Sequence, residues 1–256
     1  MISLIAEKIA EVLGLVFLHS ATEHVVTDRK AFKVALSHSL VFRGRHLRVS
    51  MAQILSIQVD DRFVLISNVR RPERVTPIGG AVRYFPSEVS SLEGKVGFRH
   101  ELKKGGERYD VRGYLLGKQF VPFLRWYATG IGREQCTLAR EIEEEFVEIG
   151  APQISNYVKR PEFVKERVVH EGPSPVKNRE YWQYRYFEVC SLREESDVSK
   201  QLADFIRTEA GRNSGLVLVS TDEIRQGRLA DGRIIGDSAG YLFSDLAQGI
   251  EAPPLI

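Results

Sequence analysis

The stretch LAREIEEEFVEIG, residues 138 to 150, limits what this chain can fold into more than any other. Wound as a helix, it sets Ala139, Ile142, Phe146 and Ile149 at i, i+3, i+7 and i+10, an apolar stripe suited to lying on a sheet. Glu141, Glu144, Glu145 and Glu148 fall at i, i+3, i+4 and i+7 and form a second stripe, while Glu143 points elsewhere. Like charges at these spacings repel by about a few tenths of a kcal/mol per pair. The helix dipole adds to that cost, since most of the cluster lies toward the C-terminal end. No lysine lies between Arg140 and Gly150 to interleave the acids. Two readings follow. The stripe is a solvated face, or it is a ligand set for a hard divalent cation such as Mg2+, which takes carboxylate oxygens.

The rest of the chain gives this helix a sheet to lie on. MAQILSIQVDDRFVLISNV reads as two strands split at Asp60-Asp61, a hairpin without a glycine. Arg70 to Glu73 read as a polar loop, and TPIGGAVRYF as a Pro/Gly turn entering a strand. Residues 86 to 119, rich in charges and glycines and including KKGGER, read as loops with short strands, and FVPFLRWYATG as an extended aromatic segment. Gly150 and Pro152 end the acidic helix. YWQYRYFEVCSL, residues 181 to 192, is the strongest predicted strand. Helices are expected at VSKQLADFIRTEA, after the Ser/Thr/Asp cap of LVLVSTDEIRQG, and at the closing DSAGYLFSDLAQGI. Residues 24 to 48 are basic and partly alternating and take no firm assignment. Strands and helices mix without a βαβ rhythm, so the expected class is α+β.

Composition narrows the partners. A charged share of 27%, a hydrophobic share of 43% and a net charge of +2 describe an ordinary globular protein, with no strong nucleic-acid signal. VLGLVFL, residues 12 to 18, is far shorter than the ~20 residues of a membrane span. Ile2, Ile5, Ile9, Val12, Leu13 and Val16 predict instead an amphipathic helix docked on the body. Two cysteines, Cys136 and Cys190, form no framework and point to a reducing cytoplasmic setting. His100 and His170 have no zinc-like spacing.

Arg140-Glu141-Ile142-Glu143-Glu144-Glu145 resembles the REUxEE core of the Nudix box, Gx5Ex7REUxEExGU. The position of the upstream glutamate holds Gly132, with Glu134 the nearest acid, and Val147 stands at the later glycine. The box looks split, its GG turn matched by Pro77-Ile78-Gly79-Gly80 far upstream. Together with Arg48-Val49-Ser50, Phe123-Leu124-Arg125-Trp126-Tyr127 and Gly132-Arg133-Glu134, these landmarks resemble the SMODS-associated Nudix domains of bacterial anti-phage nucleotide signalling.

The resemblance implies an α/β/α sandwich of mixed sheet with flanking helices over residues 48–256. Residues 1–47 would be an extension packed on that core, and about 81–129 an insertion inside the box. It implies Mg2+ or Mn2+ held by Glu141, Glu144 and Glu145, with Glu144 or Glu145 doubling as base and Arg140 orienting the glutamates. Water would attack phosphorus in a nucleoside diphosphate linked to another moiety, without a covalent nucleophile. Glu134, Glu148 and Glu188 are candidates for a further acid, alongside Glu194 and Glu195. Gly79, Gly80, Arg70, Arg71 and Arg74 are candidates for phosphate contact. Trp126, Tyr127 and Trp182 could stack on a base, although filling the sheet core is the commoner use of such residues. Nudix domains often dimerise, so a homodimer is admitted. Intact Arg140, Glu141, Glu144 and Glu145 favour a hydrolase; Gly132 and Val147 favour a module that binds or senses a nucleotide-derived small molecule.

Overall fold

A computed structural model describes residues 29–101 and 109–243. The expected helix over Ile2 to Val16, the KKGGER turn and the end of the closing helix lie outside these residues.

The strand His46–Leu55 (β1) is buried at every position but the first. Both its apolar positions and the interleaved Arg48, Ser50 and Gln53 are covered, and it stands at the centre of a six-stranded mixed sheet. On one side it pairs in parallel with Tyr181–Leu192 (the strand β9), from His46 opposite Tyr181 to Leu55 opposite Cys190. On the other it pairs antiparallel with two strands in tandem. Gly79–Ala81 (the strand β5) flanks Ala52 to Ile54, and Arg112–Leu116 (the strand β7) flanks His46 to Ser50. Arg99–His100 (β6) and Phe163–Pro175 (β8) form the edges.

The expected hairpin forms, but over two short arms. Asp60 and Asp61 adopt positive φ of 48° and 60°, the backbone of a type I′ turn, and join Gln58–Val59 (β2) to Arg62–Asn68 (β3). The chain has by then left the first sheet. Arg71–Pro77 (β4), Leu216–Val219 (β10) and Ile234–Ile235 (β11) complete the second. The polar loop predicted over Arg70 to Glu73 is only a turn, because Asn68 accepts the backbone N–H groups of Arg70 and Arg71 and strand pairing resumes at Arg71.

Helices cover these sheets, an α+β arrangement. Arg29–Val41 (α1) docks through Ala35 and His38, whose ring meets Phe120 edge-on. FVPFLRWYATG is not extended: Phe120–Thr129 is a helix (α2), with Phe120, Phe123, Leu124 and Tyr127 buried on one face. Its aromatic content mimics a strand, yet those four positions share a 3.6-residue period, and Pro122 sits in the first turn, where it costs no hydrogen bond. The acidic segment is the helix Thr137–Glu148 (α3). Asp197–Ala210 (α4) and Thr221–Gln226 (α5) follow as expected, the latter capped reciprocally by Ser220 and Glu223. The predicted closing helix opens as a 3-10 helix, Asp237–Leu242. The loops predicted over 86 to 119 contain a helical run from Pro86 to Val96 besides strands.

Three cores result. Leu47, Val49 and Met51 of β1 meet α2 and the helical run after Pro86, together with Val82 and Val111. The segment between Gly80 and Glu134 therefore shares the central sheet and its packing. Ala52 and Ile54 face the second sheet through Phe63, Leu65 and Val75. Leu55, Ile142, Phe146, Leu202 and Ile206 seat α3 and α4.

Candidate active site

The acidic helix is positioned from its first residue. Thr137 N–H, one of the donors a helix start leaves unpaired, donates to Gln53 Oε1 of β1 at 3.1 Å. Gln53 Nε2 donates in turn to Glu188 Oε2 at 2.8 Å, and Tyr186 OH to Glu188 Oε1 at 3.1 Å. Glu188 thus belongs to the support of the helix.

Arg140 ties the stripe to its surroundings. Its Nε and Nη2 donate to Glu134 at 3.0 and 2.8 Å, its Nη1 to Glu141 Oε1 at 2.6 Å, and its Nη2 also to Ala81 O at 3.0 Å. A weaker contact of 3.4 Å reaches Glu144 Oε2. Glu134 also accepts Arg83 N–H at 2.7 Å and the Thr137 hydroxyl at 2.9 Å.

Strand β5 forms the wall beside the carboxylates. Gly79, at φ 137°, has no room for a side chain because Gln53 O would meet it, and Gly80 because the Glu141 carboxyl would. Gly79 N–H donates to Glu145 Oε2 at 3.0 Å, so this turn holds a glutamate rather than presenting that N–H to a phosphate. Burial pushes the Glu141 carboxyl up from its usual range against the pull of Arg140. Burial, then the charge of Glu141, pushes Glu145 well above its usual range, with Gly79 N–H opposing.

Glu141, Glu144, Glu145 and Glu148 line a cleft of about 160 Å3 with Ser67 and Asn68 at the end of β3, Arg70 of the turn after it and Thr76 of β4. Of the residues nominated by sequence, the structure brings these four glutamates and Arg70 together, with Arg140, Gly79 and Gly80 immediately behind. Glu134 and Glu188 brace the helix outside the cleft, and Glu194 ion-pairs with Arg207 beside a different groove. Arg74 lies in β4 opposite Ile234, away from the cleft lining. Trp126, Tyr127 and Trp182 pack in the first core. Sequence reasoning passed over Gln53, and over Arg83, whose Nη1 and Nη2 each donate to a Glu144 oxygen at 3.1 Å. Their only signal is alternation: Gln53 takes the face of Met51 and Leu55, and Arg83 that of Ala81.

A family model for the SMODS-associated NUDIX domain matches residues 46–243, from the start of β1 to the end of the described chain. The chain belongs to this family. The curated proteins and the solved structures offer no match.

The departures of this Nudix domain from the box have structural accounts. Gly132 takes φ 78° against Glu88, a turn where a side chain has no room, and Glu134 brings a carboxylate to Arg140 two residues later. Val147 is 49% exposed on the outer face of α3, where a side chain displaces nothing. Nudix domains use divalent metals, and the donors here fit one: carboxylates without thiol or imidazole, two of them raised by burial. Among the described residues no three such side chains meet in a ready-made shell. Arg140 draws Glu141 aside, and Arg83 spans both oxygens of Glu144. No described helix is long and apolar enough to cross a membrane.

Proposed function

We propose that this domain hydrolyses a nucleoside diphosphate linked to another moiety, with Glu141, Glu144 and Glu145 holding Mg2+ or Mn2+. The observation that carries the reading is the cleft itself. Four carboxylates of one helix line it, two of them raised by burial, and arginine and glycine backbone brace them from behind. When bound, the cation would neutralise the diphosphate and make a water acidic enough to attack phosphorus. Arg140 fixes Glu141 against the wall, Gly79 N–H fixes Glu145, and Glu144 or Glu145 takes the water's proton. Arg70, which lines the same cleft, would meet phosphate oxygens. The cytoplasm, where nucleotides abound and both cysteines stay reduced, suits this chemistry.

A panel of nucleoside diphosphate derivatives incubated with Mg2+ or Mn2+ tests this. Wild type should release a nucleoside monophosphate from at least one of them, and Glu144→Gln/Glu145→Gln should release none. Metal-independent product, or equal product from the double variant, would count against it. A second reading, a nucleotide-sensing module in an anti-phage signalling system, is favoured by the Arg83 fork over Glu144 and by the family's association. It predicts nucleotide binding without product, visible as a melting shift. A ligand at 100 times its dissociation constant stabilises by about 2.7 kcal/mol.

A further inference from the structure

Arg83 lies outside every motif in the sequence, yet its guanidinium covers both oxygens of Glu144 at 3.1 Å. The fork is incompletely satisfied. Its Nε is buried without an acceptor and stands 3.8 Å from Asp110 Oδ1, beyond hydrogen-bond reach. An unmade donor in a buried position is costly, so this pose is poised for exchange. The pair is also accessible, with side-chain exposures of 27% and 39%.

A divalent cation at Glu144 needs at least one of the oxygens that Arg83 spans. The two positive charges then compete for one carboxylate and repel each other, so the metal's entry weakens the guanidinium's hold on Glu144. Arg83 N–H remains bonded to Glu134, which keeps the freed side chain beside the cleft. Besides Asp110, the acceptors within its reach are phosphate oxygens of a ligand bridged by that cation, and a planar guanidinium suits them bidentately. We infer that Arg83 is a diphosphate-binding residue that exchanges Glu144 for substrate. It weakens cation binding when no nucleotide is present and strengthens nucleotide binding once the cation is bound. This rests on the hydrolase reading above.

Calorimetric titrations of wild type, Arg83→Ala and Arg83→Lys test it, first with Mn2+ alone and then with α,β-methylene-ADP at saturating Mn2+. Arg83→Ala should bind Mn2+ roughly three- to tenfold tighter, since a competitor occupying most of the Glu144 population is gone. The same variant should bind the analogue about tenfold more weakly. Arg83→Lys keeps the charge but not the fork, and should follow Arg83→Ala in its gain for Mn2+; it carries the test should the alanine variant fail to fold. Unchanged or weaker Mn2+ binding in both variants overturns the exchange. So does a lysine variant equal to wild type beside a tighter alanine variant, which would reduce the effect to charge alone. Undiminished analogue binding by Arg83→Ala removes the phosphate role. Wild type that takes up no Mn2+ overturns the hydrolase reading and the exchange with it.

Discussion

Gly80 and the Glu141 carboxyl share one space: a methyl group on the Gly80 α-carbon would overlap the carboxyl group. The obstacle is the far end of a flexible side chain, so Gly80→Ala should fold, at a cost of about 1 to 3 kcal/mol for overpacking. Glu141 must swing out of its place beside Arg140. Mn2+ affinity should drop by about 10- to 100-fold, as when the support of a ligand is lost. Calorimetry with a melting curve checks both, and full Mn2+ affinity in the variant would remove Glu141 from the ligand set.

Arg140 joins helix α3 to strand β5 as well as orienting acids, through Ala81 O and Glu134. Arg140→Ala should cost about 2 to 4 kcal/mol in urea unfolding, since it leaves partly buried carboxylates unpaired. Lysine should recover less than half, because a point charge cannot span acceptors on two sides. Full recovery by lysine would show that charge, not the fork, matters.

Gln53 bonds Thr137 N–H and Glu188 at once and is nearly inaccessible. Gln53→Leu keeps the volume but leaves Thr137 N–H unpaired and takes one donor from Glu188, so a loss of about 1 to 3 kcal/mol is expected. Hydrogen exchange at the Thr137 amide should accelerate more than in the body of α3. Exchange unchanged there would mean the bond contributes nothing to the helix start.

Glu101 faces Arg48, with Oε2 at 2.8 Å from Nη2. Burial alone would raise its carboxyl, but the hydrogen bond and charge of Arg48 outweigh that and hold it below the ordinary 4.5. With the folded value below the unfolded one, the stabilisation is complete above the unfolded pKa. It is lost as pH falls through the folded value. Glu101→Gln should therefore flatten the acid limb of a stability–pH curve below about pH 4.5. Parallel limbs in the two proteins would disprove the coupling.

Elements whose pattern is local could be read from sequence: the two stripes of α3, the aromatic and β-branched content of β9, the cap of α5. The parallel pairing of β1 with β9 could not, because nothing in HLRVSMAQIL names a partner so distant in the chain. The α2 helix was hidden by aromatic residues that suit either state until burial selects the period. In the site, the acids announced themselves by crowding. Arg83 and Gln53 did not, since a lone polar residue acquires its meaning only from what the fold sets against it.

Phe85 N–H donates to Gly132 O at 2.8 Å, and Tyr84 bridges Arg133, so the long detour between them departs and returns at one point. The glycine turn and the acidic helix are thereby neighbours through a clasp of backbone bonds, not through chain adjacency. A fragment bearing the helix alone would carry the acids without the glycine wall that holds them, and loosening the detour's feet would part the two.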